Sequence, residues 1–172
     1  MSTFNGLPVH VLLVHGVVVL LPLAALLLVL SAFWPAARHK IAGPNAILST
    51  VVVVLVPITT DAGEWLEHRV TPSPLVRAHA ELGDTVLFVA LPVAVLALVI
   101  WWRHREQSSA GANATRRTYL APASATVTAA ITVLAVVAAG AAVYDVYRVG
   151  DSGAQASWQG KVSADRVTVP RK

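Results

Sequence analysis

Ionisable side chains collect in four short segments, each at the edge of a long apolar run. The segments contain His10 and His15, then Asp61, Glu64 and His68, then His79, Glu81 and Asp84, and finally Tyr144, Asp145, Arg148 and Asp151. Imidazoles and carboxylates in apolar surroundings ligate metal ions, ligate haem iron or transfer protons. The chain contains no cysteine, so thiolate metal sites and cysteine-bound iron–sulfur clusters are excluded within it.

Spacing decides which of these side chains can act together. Asp61, Glu64 and His68 are separated by three and four residues, so a helix carries them on one stripe. His10 and His15 are five residues apart, which is roughly 140° around a helix, so they cannot easily both face one small ion. His15 is the deeper of the two, and an imidazole inside a membrane costs free energy unless it has a partner. We therefore expect His15 to be a functional residue.

The elements that must position these residues are transmembrane helices. Asp, Glu, Lys and Arg are absent from residues 1–37, 41–60, 85–102 and 118–144, which gives four runs of 37, 20, 18 and 27 residues. Each run is long enough to cross a hydrocarbon core of about 30 Å at about 1.5 Å per residue. Charged residues make up 13% of the chain, about half of the share in a soluble domain. The sequence therefore predicts an all-α fold, an integral membrane four-helix bundle with antiparallel up-down-up-down order.

Prolines and glycines that flank the apolar runs set the expected helix bounds. We predict helices over residues 8–34, 46–69, 74–102 and 122–150. Residues 1–151 then form the transmembrane domain, and residues 152–172 form a polar tail that we expect to be mobile. Up-and-down threading brings the four polar segments to one end of the bundle.

Imidazoles from different helices in apolar surroundings are the ligands that a b-type haem requires. Our choice of axial pair is His15 and His79, and His10 or His68 could substitute for either. This arrangement predicts a cytochrome-like protein that binds haem b near the extracytoplasmic face. Such a protein carries electrons to or from a quinone or a redox protein and need not be an enzyme.

Two further residues fit the surroundings of such a cofactor. Gly83 follows His79 by about one helical turn and would let a flat ring approach the backbone. Arg148 lies at the same expected membrane surface, where a cation can pair with the haem propionates. A hydrolase or transferase has no support in this pattern.

Two other interpretations use the same residues. A bare zinc, copper or iron ion accepts imidazole and carboxylate ligands, which would come from His15, His79, His10, His68, Glu64 and Asp61. Alternatively, these groups cap helix ends and bond one another at a wet interface, as polar residues do there. The chain would then be a non-enzymatic accessory subunit of a respiratory or transport complex.

The charge distribution indicates membrane orientation. The net charge is +4, and basic residues cluster at Arg38 and Lys40 and again between Arg103 and Arg117. Basic residues close to helix ends favour the cytoplasmic side, which places both termini outside the cytoplasm. The charge therefore indicates contact with lipid head groups, and we expect no nucleic-acid partner. The sequence leaves the oligomeric state open.

Several short segments resemble the bacterial domain-of-unknown-function family twenty-two thirty-one, which consists of small predicted membrane proteins with four helices. The segments are residues 6–10, 13–15, 21–22, 62–64, 79 and 148–158. The usual opening of the family has a proline after the first histidine and an aromatic residue after the second, where this chain has Val11 and Gly16. The resemblance implies a bacterial plasma-membrane protein that occurs alongside or fused to redox modules such as Rieske domains. It thus favours electron transfer over transport.

Overall fold

A computed structural model describes residues 3–4, 6–112 and 118–162, and about 84% of them are helical. The elements in chain order are β1 (Thr3–Phe4), β2 (Leu7–Pro8), α1 (Val9–Phe33), α2 (Pro35–Glu67), α3 (Pro74–Gly83), α4 (Val86–Ala112) and α5 (Ala125–Trp158). The two short strands pair antiparallel, with Gly6 in the turn at φ +80. This hairpin leads directly into α1.

Within the described residues, four helical stretches are long and apolar enough to cross a membrane. They are Val9–Phe33, Pro35–Glu67, Pro74–Ser109 and Ala125–Trp158, with mean hydropathies between 2.1 and 2.8. The third stretch consists of α3 followed by α4. The predicted all-α, four-helix membrane fold is therefore confirmed.

Packing places the four long helices in a ring. Helix α1 packs against α2 and α5, α4 also packs against α2 and α5, and the short α3 lies against α5 and α2. The centre contains many small residues, such as Ala24, Ala97 and Ala142, which are almost fully buried. Small residues let helix backbones approach closely in lipid. Larger apolar side chains such as Phe88 and Val133 point outward, as a lipid-facing surface requires.

Contacts between helices pair the beginning of one with the end of the next. The Gly16 backbone lies against Leu55, and the Gly43 backbone lies against Trp101. Thr85, just before the beginning of α4, donates a hydrogen bond to Asp145 Oδ1 in the second half of α5 over 2.9 Å. These pairs support the antiparallel order, which stays a prediction.

Helix α2 begins earlier than the sequence predicted, at Pro35 instead of after Asn45. Proline is well tolerated at the first helical position because its missing N–H would have no intrahelical partner there. Arg38 then reaches back to the end of α1, where its Nε and Nη2 donate to the carbonyls of Ser31 and Ala32 over 2.7 Å each. These bonds satisfy two carbonyls at the end of α1. They also attach the first turn of α2 to the last turn of α1.

The third predicted helix is interrupted. Helix α3 ends at Gly83 and α4 begins at Val86. At this break Leu82 O and Asp145 Oδ1 share the single Thr85 hydroxyl proton, and they lie 2.7 Å and 2.9 Å from Thr85 Oγ1. Helix α5 begins at Ala125, and the Ser124 side chain caps it by accepting from Val127 N. It continues to Trp158, so the first residues of the expected polar tail are helical. Residues 163–172 of that tail lie outside the described residues.

Candidate functional site

Two histidines that are distant in sequence meet at one end of the bundle. His10 is the second residue of α1, and His79 lies in the middle of α3. Their ring centroids are 6.3 Å apart, and the ring planes make an angle of 73°. Both side chains are half-buried. The structure therefore pairs His79 with His10, which the sequence offered as a substitute ligand.

Hydrogen bonds select one tautomer of each ring in its neutral form. His10 Nδ1 lies 2.9 Å from the backbone oxygen of Thr59. A carbonyl oxygen can only accept, so Nδ1 carries the proton of the neutral ring and Nε2 keeps its lone pair. His79 Nδ1 lies 3.0 Å from Ser152 Oγ, and the Ser152 hydroxyl donates to Val149 O over 2.9 Å. Ser152 Oγ is thus the acceptor for His79, whose Nε2 is likewise left as an acceptor.

Each imidazole packs against a glycine of a neighbouring helix. A Cβ at Gly63 in α2 would lie 2.9 Å from His10 Cε1, and a Cβ at Gly153 in α5 would lie 3.0 Å from His79 Cε1. Real Cβ atoms essentially never approach to 2.9 Å, so any side chain at Gly63 would displace the His10 ring. We name His10, His79, Gly63, Gly153 and Ser152 the histidine-pair site.

A buried carboxylate lies deeper in the bundle than this site. Asp145 precedes Ser152 by seven residues, which is about 10 Å along α5. It is 6% exposed, and Oδ1 accepts from Thr85 while Oδ2 has no hydrogen-bond partner. A buried polar oxygen without a hydrogen-bond partner costs free energy. The Asp145–Thr85 bond joins α5 to the turn between α3 and α4.

The other sequence-predicted ligands are exposed side chains. His15 is exposed, and its Nδ1 bonds the Val11 carbonyl of its own helix. His68 caps the end of α2 and is exposed, as are Asp61 and Glu64. The described part of the chain holds no group of three or more His, Cys, Asp or Glu side chains that could bind a metal ion. The bare-metal interpretation therefore has no support.

The two residues predicted to surround a cofactor lie in open positions. A Cβ at Gly83 would meet no atom within 4 Å. Arg148 is exposed, with its Cζ atom 5.9 Å from the centroid of the equally exposed Tyr144 ring. Both roles stay predictions.

Sequence reasoning missed a polar region at the other end of the bundle. Arg103 is 8% exposed, although its sequence context indicated only a basic surface loop. Asn45 and Ser49 of α2 are also buried, and their side-chain polar atoms have no hydrogen-bond partner. An asparagine within an apolar run is a visible signal, but the apolar pattern alone does not reveal which helix face is buried.

The fold and these contacts define a multi-pass membrane protein with a histidine pair at one end of its helix bundle. The family model DUF2231, described as "Predicted membrane protein", matches residues 6–166. The chain therefore belongs to this family, and the resemblance inferred from the sequence is confirmed. No curated protein and no solved structure matches the chain.

Proposed function

We propose that this protein binds one b-type haem at the histidine-pair site and acts in electron transfer. The observation that carries the proposal is the approach of His10 and His79 to a centroid separation of 6.3 Å. Metal–nitrogen bonds to histidine are about 2.0–2.1 Å long, so two imidazoles on opposite sides of one metal have centroids roughly 6 Å apart. His10 and His79 would therefore hold the haem iron, since the observed separation suits two imidazole ligands of one metal.

The hydrogen bonds support the same ligand pair. A histidine ligand usually donates its other ring N–H to a carbonyl or a similar acceptor, which fixes the tautomer, orients the ring and strengthens the ligand. His10 has this bond to Thr59 O, and His79 has it to Ser152 Oγ. Both Nε2 atoms are consequently prepared to ligate. Two imidazole nitrogens fit the iron of a b-type haem, and a haem held in this way would carry one electron at a time.

Other residues of the chain would assist binding. The open space beside Gly83 would admit the edge of a flat ring, and Arg148 would pair with the propionates at the membrane surface. The apolar interior of the bundle would exclude water from the ring. We take the electron partner to be a quinone or a redox protein, and the role to be that of an electron carrier.

The proposal also includes a location. A multi-pass membrane protein with these basic connections would lie in a bacterial plasma membrane with both termini outside the cytoplasm. The histidine-pair site would then face the extracytoplasmic side. Lipid contact follows from the spans themselves.

Titration of haem into the detergent-purified full chain tests this proposal. We expect a Soret band that saturates at about one haem per chain, with the sharp α and β bands of a low-spin, six-coordinate iron after reduction. Absence of a saturable Soret band would overturn the proposal. Stoichiometric zinc, copper or iron without porphyrin would instead favour the bare-metal alternative, and a chain with neither would favour an accessory subunit.

A further inference from the structure

A second pair of histidines joins α2 to α4 at the end of the bundle opposite the histidine-pair site. His39 is the fifth residue of α2, and His104 lies in the last third of α4. Their ring centroids are 4.3 Å apart with 82° between the planes, so the edge of one ring meets the face of the other. His39 is exposed and His104 is half-buried, so water reaches the pair. We name these two residues the basic-end pair.

The residue before each of these histidines continues the contacts to the other two long helices. Arg38 donates to the carbonyls of Ser31 and Ala32 at the end of α1. Arg103 Nη2 donates to Thr128 Oγ1 in the first turn of α5 over 3.1 Å. The basic-end pair therefore lies within a set of contacts that links α1, α2, α4 and α5 at one end.

Positive charge acts on the basic-end pair. Arg38 of α2 is close enough to His104 for the two charges to repel, and so is His39 when it is protonated. The groups of α1 and α5 that line the small cavity beside His104 are neutral, among them Ala32 and Thr128. The cations next to the pair along the chain are Arg38, Lys40, Arg103 and Arg105.

The chain supplies one acid to this end of the described bundle, and that acid has other partners. Helix α2 contains no Asp or Glu before Asp61, and Glu106 is the one acid between Asp84 and Asp145. The Glu106 carboxylate accepts from Tyr119 N and Leu120 N over 3.0 Å each, and it attracts Arg103. A proton added to the basic-end pair is therefore opposed by the arginine of α2 and is balanced by no acid of that helix.

We propose that the basic-end pair is a pH-sensitive contact, which joins α2 to α4 while its rings are neutral and separates the ends of these helices when both rings are protonated. Histidine is the side chain whose charge ordinarily changes between about pH 5 and 8. Two protonated rings with centroids 4.3 Å apart repel, and Arg38 adds to the repulsion. The separated state therefore binds more protons than the joined state, so acid favours separation.

The side of the membrane follows from the same basic residues. The connections that carry Arg38 and Arg103 are those that their charge assigns to the cytoplasm, so the contact would respond to cytoplasmic pH. The proposal is independent of haem binding, because the basic-end pair and the histidine-pair site share no residue.

Pulsed electron paramagnetic resonance of two spin labels tests the proposal in the detergent-purified full chain. The chain contains no cysteine, so labels can be attached through Ala36→Cys in α2 and Ser108→Cys in α4, both of which are exposed positions about one turn from the pair. We compare about pH 8 with about pH 5.5, on either side of the ordinary histidine value of about 6.5. The distance between the labels should lengthen by several ångströms in acid and return when the sample is neutralised. An unchanged distance in the labelled wild-type background would overturn the proposal.

Three variants separate the basic-end pair from other titrating groups. His39→Gln and His104→Gln each leave one ring that can be protonated, so in either background the label distance should be the same at both pH values. His68→Gln is the matched control, because His68 is an exposed histidine at the other end of α2 and should leave the response unchanged. A response that persists in both His39→Gln and His104→Gln, or one that is lost in His68→Gln, would contradict the proposal.

Discussion

Replacing His79 with alanine is expected to remove high-affinity haem binding. Loss of a partner that merely orients a metal ligand typically weakens binding about 10–100-fold, so loss of the ligand itself should weaken it by more than about 100-fold. His10→Ala should have the same effect, because the two rings lie 6.3 Å apart and each supplies one Nε2. The measurement is the dissociation constant from the Soret titration, with circular dichroism to verify that each variant keeps its helices.

The matched controls for this experiment are the other histidines of the same bundle end. His15→Ala and His68→Ala should retain haem affinity within about threefold, because both side chains are exposed and neither ring is paired with His10 or His79 in the described residues. If His15→Ala abolished the Soret band while His10→Ala retained it, the ligands would be His15 and His79, the pair that the sequence predicted from the depth of His15 in the membrane. That outcome would contradict our assignment of His10.

Gly63→Ala should weaken haem binding about tenfold without unfolding the protein. The new methyl group would lie 2.9 Å from His10 Cε1, so the ring must move and its bond to Thr59 O must change. Overpacking of this kind costs about 1–3 kcal/mol, partly offset by about 0.5–1 kcal/mol from the better helix propensity of alanine. Gly153→Ala should act on His79 in the same way, although less strongly, because the corresponding distance is 3.0 Å. Haem titration of each variant measures the effect.

Gly140→Ala is the control for these glycine variants. Gly140 lies in α5, and a Cβ there would meet no atom within 4 Å. Alanine should leave haem affinity unchanged and should not lower the unfolding midpoint. Equal losses of haem affinity in Gly63→Ala and Gly140→Ala would show that the close approach of Gly63 to His10 is irrelevant to binding.

The fold class was predictable because a bilayer imposes one simple requirement. Long uncharged runs must be helical in lipid, where every backbone polar group needs an internal partner. The helix ends were less predictable, because they depend on individual bonds. Arg38 bonds to Ser31 O next to the early start of α2, and the Thr85 hydroxyl bonds to Leu82 O at the break after Gly83. Neither bond follows from composition or periodicity.

The histidine-pair site was predictable only in part. Threading indicated that His10 and His79 would reach the same end, and helical spacing showed that His10 and His15 face different directions. The depth of His15 in the membrane favoured it as a ligand. Which side chains of α1 face the bundle depends, however, on how α1 packs against its neighbours. The glycine at position 63 leaves the space that His10 occupies. A small residue next to a polar segment was therefore the signal that could have identified His10.

Electron paramagnetic resonance of the oxidised, haem-loaded protein tests the central claim most directly. If the Nε2 atoms of His10 and His79 both ligate the iron, the spectrum should be that of a low-spin ferric centre. Ring planes at 73° make the iron orbitals that interact with the two imidazoles nearly equal in energy, so one large g component should dominate. A high-spin signal, or no haem signal from protein supplied with excess haem, would contradict the account.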